Sequence, residues 1–67
     1  MRDRNRIPGY AQRLAAVWAK VPDWRLSQLL TNVILDYISE HDIEPFYMED
    51  EQFLAYIEKY VEEITKK

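Results

Sequence analysis

The stretch that decides the fold is residues 24–39, WRLSQLLTNVILDYIS, in a chain of 67 residues. Its apolar side chains recur every three or four positions, as on one face of a helix: Leu26, Leu29, Leu30, Val33, Ile34, Tyr37 and Ile38. At about 100° per residue they cover an arc of roughly 180°, and Leu35 widens it to roughly 240°. A surface helix needs a stripe of only about 100°. We therefore predict a central helix, covered by two other helices or by a second subunit.

A helix is predicted before this stretch, over about residues 7–21. Its apolar face contains Ile7, Tyr10, Leu14, Val17, Trp18 and Val21. Pro8 suits the first turn, where no backbone donor is needed. Pro22 ends the helix because the residue before a proline is pushed out of the α region. Asp23 is then the predicted N-cap of the central helix.

A third helix is predicted over about residues 50–65. Its apolar face contains Phe53, Leu54, Ile57, Tyr60, Val61 and Ile64. Glu49 is its predicted N-cap, and Met48 and Phe53 occupy the two positions of a hydrophobic staple. Pro45 bars Glu44 from a helix. The segment Pro45–Met48 is therefore predicted to be short, irregular and extended, and to lie across the helices.

The predicted fold class is all-α, a compact three-helix domain over residues 7–67 after a flexible basic arm over residues 1–6. The single glycine argues against an all-β fold, which needs many turn glycines. The lack of cysteine excludes disulfide frameworks, thiol catalysis and cysteine-bound zinc. No stretch is long and apolar enough to span a bilayer, and no apolar stretch follows the first arginines as in a secretory signal. We therefore expect a cytoplasmic protein.

Charge is divided unevenly along the chain. Residues 1–34 carry a net charge of +4, and residues 35–67 carry −7. Such halves can pair within the fold, across a dimer or with a charged partner. The competing interpretation is that the charges only keep the protein soluble.

Catalytic chemistry has little support in the sequence. His41 is the only histidine, and a serine-based triad would need Ser27 or Ser39 with His41 and Asp42. A histidine favoured by the C-terminal end of a helix dipole is the simpler interpretation. We therefore predict no enzyme, no catalytic residue, no cofactor and no small-molecule substrate.

Metal binding has one candidate, a cluster of acids from Asp42 to Glu51. Its members are Asp42, Glu44, Glu49, Asp50 and Glu51. Hard cations prefer such oxygen ligands, but the spacing matches no EF-hand loop. A solvated acidic loop with a favourable helix start explains the cluster, so no metal site is predicted, and cation binding there stays an open alternative.

Nucleic-acid binding is the alternative function. A short turn between two helices is compatible with a helix-turn-helix variant, and Arg2, Arg4 and Arg6 resemble a groove-seeking arm. The acidic or apolar surfaces of the second and third helices and a pI near 5.0 disfavour phosphate binding. A small nucleic-acid-associated regulator that uses the arginine arm therefore stays the second hypothesis.

Protein binding is the favoured function. Partly exposed tryptophan, tyrosine and arginine side chains often anchor protein interfaces. The predicted partner-binding residues are Arg4, Arg6, Arg13, Trp24, Arg25, Leu35 and Tyr47. The competing interpretation is that a domain of this size cannot bury all its aromatic residues. We predict a non-enzymatic interaction module that binds itself, as a homodimer, or another protein.

Two motifs carry a family resemblance. Residues 22–32, PDWRLSQLLTN, and residues 45–51, PFYMEDE, resemble a pair found in short uncharacterised bacterial and phage-borne proteins. The resemblance covers most of the chain. It implies a tryptophan-bearing helix before and an acidic helix after, and it assigns no activity. A phage-derived protein aimed at a host protein is one role compatible with it. Such proteins often have a proline directly after the aspartate that matches Asp3, whereas this chain has Arg4.

Gln28 and Asn32 form a lone amide stripe opposite the apolar face of the central helix. The backbone of Pro45–Met48 has no helical partner and must find one if it is buried. We hypothesise that Gln28 or Asn32 docks that segment. The competing interpretation is an exposed partner-binding stripe that also includes Leu35.

Overall fold

The computed structural model describes residues 3–66 and contains three α-helices. They are α1 (Ile7–Trp18), α2 (Leu26–His41) and α3 (Asp50–Thr65), with short 3-10 helices at Arg4–Arg6 and Pro45–Tyr47. No β-strand occurs in that range. The predicted all-α three-helix domain is confirmed. No helix between Asp3 and Lys66 is long and apolar enough to cross a membrane.

α1 ends at Trp18, earlier than the predicted end at Val21. The next backbone N–H groups bond to carbonyls three positions back, Lys20 to Val17 at 3.1 Å and Val21 to Trp18 at 2.9 Å. This pattern tightens the chain into a 3-10-like turn. The indole Nε1–H of Trp18 then donates to the carbonyl of Trp24 at 2.8 Å, which holds the connection closed. α1 therefore ends where the Trp18 indole contacts Trp24, and this end lies before the position at which Pro22 would stop the helix.

α2 lies two residues later than predicted. Its N-cap is Arg25, and the prediction of Asp23 is wrong. The side-chain oxygen of Gln28 accepts the Arg25 backbone N–H at 2.9 Å, as the third residue of a capping box does. At the other end the helix runs on to His41, and Asp42 closes it in a left-handed conformation with φ 55°, which aspartate tolerates better than most residues.

α3 has the predicted boundaries, and it is also the helix that the other two share. It contacts both α1 and α2 and supplies half of the buried side chains. The buried core consists of Val17, Leu29, Val33, Leu54, Ile57 and Val61. The prediction that α2 lies in the centre is therefore wrong. Its Leu35 is 59% exposed, because no residue from 3 to 66 covers the back of α2.

The segment before α3 is a turn rather than an extended stretch. Pro45–Tyr47 forms a 3-10 helix, closed by the Met48 N–H donating to the Pro45 carbonyl at 3.1 Å. Glu44 is extended, as expected before a proline. The turn packs on α2 through half-buried Pro45 and Met48. It follows the predicted position across the helices, but its two aromatic rings point away from the core.

The predicted flexible arm is partly structured. Asp3 caps the Arg4–Arg6 turn by accepting the Asn5 N–H at 2.9 Å. Arg6 reaches the first residue of α3, with its Nε donating to the Asp50 carboxylate at 2.6 Å. The turn is continuous with α1, so residues 3–6 have a defined structure, and the flexibility of the arm stays a prediction. The first two residues of the predicted arm and the last residue of the predicted domain lie outside the described range.

Candidate interaction surface

An apolar groove opens between α2, the Pro45–Tyr47 turn and the start of α3. Its volume is about 400 Å³. We call it the loop groove, lined by Ile34, Ile38, Glu44, Pro45, Phe46, Met48, Asp50 and Phe53. The two charged residues of this lining are both acidic.

The sequence builds the groove from three local features. Ile34 and Ile38 lie one helical turn apart on α2, to one side of its buried residues. Met48 and Phe53 flank the start of α3, where Phe53 N–H donates to the carbonyl of the N-cap Glu49 at 3.0 Å. Glu49 is the predicted cap, and the two apolar side chains line one groove as a hydrophobic staple requires.

Phe46 and Tyr47 stand exposed beside the groove. Phe46 is 79% exposed and Tyr47 is 88% exposed. Their rings meet edge to face, with centroids 4.9 Å apart. Ile43, on the same connection, is 60% exposed. Large apolar side chains grouped in water mark interaction surfaces more often than isolated ones do.

A second apolar groove of about 240 Å³ borders the first along α1. Ile7, Tyr10 and Leu14 line it from α1, and Phe53 lines both grooves. Asp50 is also shared. The apolar surface is therefore continuous from α2, over the start of α3, to α1.

The opposite charges of the two halves meet between α1 and α3. Arg6 pairs with Asp50, and Arg13 pairs with Glu51 at 2.7 Å and with Glu58 at 2.8 Å. A second Arg13 hydrogen bond, from Nε at 3.1 Å, makes the Glu58 contact bidentate. The guanidinium of Arg13 lowers the pKa of Glu58, and the hydrogen bonds that Arg13 donates to the Glu58 and Glu51 carboxylates raise the pKa of Arg13. Pairing within the fold therefore engages Arg6 and Arg13, two of the predicted partner-binding residues.

The other predicted partner-binding residues do not form one surface. Trp24 is half-buried against the core, and Arg25 is exposed at the N-terminal end of α2. That end is about 20 Å along the helix from the Pro45–Tyr47 turn. Arg4 is exposed in the turn before α1, and Leu35 is exposed on the back of α2. Only Tyr47 stands beside the loop groove.

The amide docking hypothesis finds no support within residues 3–66, where no hydrogen bond joins the side chain of Gln28 or Asn32 to the Pro45–Met48 segment. Gln28 accepts the backbone N–H of Arg25 instead. With Asn32 it lines an open polar depression of about 670 Å³ near the start of α2. The Pro45–Tyr47 turn packs on Ile34 and Ile38, because it follows the C-terminal end of that helix. The competing stripe of Gln28, Asn32 and Leu35 is exposed and stays a prediction.

A ring cluster joins the C-terminal half of α2 to α3. The Tyr56 hydroxyl donates to the Asp36 carboxylate at 2.6 Å. Burial, and then this bond, raise the pKa of Tyr56 above its usual value. The Tyr37 ring lies 5.2 Å from that of Tyr56 and 4.4 Å from that of His41, measured between centroids. These distances leave no room for a ligand between the rings.

The residues considered for catalysis and metal binding are not assembled. No hydrogen bond joins His41 to Ser27 or Ser39 in the described part of the chain, where His41 stacks on Tyr37. No three histidine, aspartate or glutamate side chains within residues 3–66 converge as metal ligands do. Among these acids Asp42 closes α2, Glu44 lines the loop groove, and the other three, Glu49, Asp50 and Glu51, lie at the start of α3.

Sequence reasoning identified Tyr47 but missed Phe46, Ile34 and Ile38. The available signal was the run from Ile43 to Met48, which is mostly apolar but interrupted by a proline. Such a segment is too short to bury every side chain, so some must face outward. The groove itself depends on how the turn meets α2, which no local pattern specifies.

Comparison with known proteins finds no matching family model, no matching curated protein and no matching solved structure. The motif resemblance in residues 22–32 and 45–51 therefore stays a prediction.

Proposed function

We propose that this protein is a non-enzymatic protein-interaction module that binds its partner at the loop groove. The observation that carries the proposal is the pair Phe46 and Tyr47, 79% and 88% exposed at the edge of an apolar groove. Full burial of one aromatic side chain removes about 150–250 Å² from water. Full burial of such a side chain contributes about 1.5–3 kcal/mol of gross binding energy.

The proposal explains why the rings stand on a proline-initiated turn. Pro45 fixes its own φ and restricts Glu44, so little backbone freedom is lost when the turn meets a partner. A preorganised surface binds more tightly because less conformational entropy opposes binding. Phe46 and Tyr47 are thus presented much as interface anchors are in known complexes.

The nucleic-acid alternative loses support from the arginine positions. Arg6 and Arg13 are held by carboxylates, and freeing them for phosphates would break the α1–α3 ion pairs. An enzymatic role has no assembled group of residues to support it. The motif resemblance supports a phage-borne protein that acts on a host protein in the cytoplasm, and a homodimer is the other form of the same proposal.

The test compares the native chain with a Phe46→Ser, Tyr47→Ser double variant and with Leu35→Ser as a matched control. Since all three side chains are exposed, both variants should fold, which circular dichroism checks. Light scattering over a range of concentrations measures self-association, and affinity capture from a bacterial lysate measures binding to other proteins. We expect one of these signals in the native chain and in Leu35→Ser, and its loss in the double variant. A strict monomer that captures nothing specific to the native chain would contradict the proposal.

A further inference from the structure

The surroundings of the loop groove carry one sign of charge. Residues 40–51 contain Glu40, Asp42, Glu44, Glu49, Asp50 and Glu51, and no lysine or arginine. Arg6 pairs with Asp50 and Arg13 pairs with Glu51, so part of this charge is offset. Within the described range, Asp42 and Glu44 form no ion pair with any basic side chain. The groove is therefore an apolar surface with an acidic rim.

The acidic rim makes a second copy of the chain a poor occupant. In a two-fold dimer each subunit presents the same patch, so acids from one rim would face acids from the other. Like charges brought together in a partly desolvated interface oppose binding. The occupant that this rim favours carries lysine or arginine beside its apolar contacts.

The shape of the surface favours a helical occupant. The lining comes from helix and turn side chains, and residues 3–66 contain no strand edge to which a peptide strand could add. Much of this lining comes from the aliphatic side chains of Ile34 and Ile38 and from the adaptable side chain of Met48. Grooves of this kind take the apolar face of an amphipathic helix, whose anchors recur at i, i+3 or i+4, and i+7. The neighbouring groove beyond Phe53 extends the surface for a further anchor.

We infer that the loop groove binds a cationic amphipathic helix of another protein, with the helix's apolar face on Ile34, Phe46 and Phe53 and its basic residues near Glu44. The inference rests on the proposed function and specifies the chemistry of the partner. It also assigns Glu44 a role in selecting that partner.

The experiment uses two labelled peptides of about five helical turns. One has leucines along one face and lysines elsewhere, and the other has glutamates in place of every lysine. Fluorescence polarisation with the full chain measures both affinities. We expect the Leu/Lys peptide to bind at least about tenfold more tightly than the Leu/Glu peptide, and added salt to narrow the difference.

Three variants locate the binding. Phe46→Ala should weaken the Leu/Lys peptide about tenfold or more. Glu44→Lys should weaken the Leu/Lys peptide and strengthen the Leu/Glu peptide. Glu63→Lys is the matched control, since Glu63 lies about 20 Å along α3 from Asp50, and it should change neither affinity beyond general screening.

The outcomes separate the inference from the proposed function. Equal affinity for both peptides, reduced by Phe46→Ala, would overturn the cationic partner and leave the interaction module standing. If Glu44→Lys and Glu63→Lys changed the two peptide affinities equally, the role of the acidic rim in selecting the partner would be overturned. Failure of both peptides to bind would overturn the inference. The proposed function is contradicted only if light scattering and affinity capture also show no difference between the native chain and the Phe46→Ser, Tyr47→Ser variant.

Discussion

At the scale of single residues, Tyr56 shows how a polar contact fixes the position of α2 on α3. Its hydroxyl donates to Asp36 at 2.6 Å, and its ring meets Tyr37 edge to face. Burial raises the pKa of Tyr56, and the bond to Asp36, which needs the protonated phenol, raises it further. The Tyr56 ring therefore packs against Tyr37, and at the same place its hydroxyl donates to the Asp36 carboxylate.

Tyr56→Phe should destabilise the protein by about 1 kcal/mol at pH 7, because Asp36 loses a donor. A phenol whose folded-state pKa is raised contributes stability that is present below its unfolded pKa of 10.0. That contribution is lost as pH rises through the folded pKa. The difference between the native chain and the variant should therefore shrink above pH 10, measured by urea unfolding. A constant difference for Tyr56→Phe at all pH values would contradict the assignment.

At the scale of elements, the boundaries separate what local patterns specify from what tertiary contacts decide. α3 has its predicted range because an unbroken apolar stripe, the N-cap Glu49 and the staple positions all agree. α1 stops early because the Trp18 indole bonds to Trp24, a contact that periodicity does not contain. The wide apolar arc of α2 predicts that neighbouring elements cover this helix on several sides, but Leu35 is exposed to water. A stripe's width gives the side chains available for burial, and the neighbours decide which are buried.

The start of α2 provides a test of this distinction. Gln28→Ala should lower the free energy of unfolding by about 0.5–1 kcal/mol, because the Arg25 N–H loses its acceptor at the helix start. Asn32→Ala, on the same exposed side of α2, should change stability by less than about 0.5 kcal/mol. Denaturant unfolding of both variants makes the comparison. A large effect of Asn32→Ala and none of Gln28→Ala would instead support docking of the Pro45–Met48 segment by Asn32.

At the scale of the whole molecule, a small core and an open apolar surface exist side by side. The molecule measures 39 × 28 × 19 Å, and its shortest dimension matches two layers of helices. Only six side chains between Asp3 and Lys66 are buried, and all are apolar. Other apolar side chains pack partly buried against this core, and some, such as Phe46 beside the loop groove, are exposed. The fold class follows from the periodicity, whereas the groove emerges only when the helices and the turn are assembled.

Leu29 and Leu35 lie on one helix and test the size of that core. Leu29 is 0% exposed, so Leu29→Ala should cost about 2–5 kcal/mol through lost burial and the cavity it leaves. Such a cost is a large part of the total stability of a domain of this length. Leu35→Ala should cost less than about 0.5 kcal/mol. Thermal unfolding at several protein concentrations measures both effects. A large, concentration-dependent cost for Leu35→Ala would show that a second subunit covers α2.

The central claim is that a partner binds at the loop groove, and backbone amide shift mapping by NMR tests it most directly. The isotope-labelled chain is titrated with the Leu/Lys peptide, and the shifts are followed residue by residue. The account predicts changes concentrated in the C-terminal half of α2, in residues 43–48 and in the first turn of α3. Changes centred instead on the polar depression at residues 23–32, or spread evenly over the acidic surface, would contradict it.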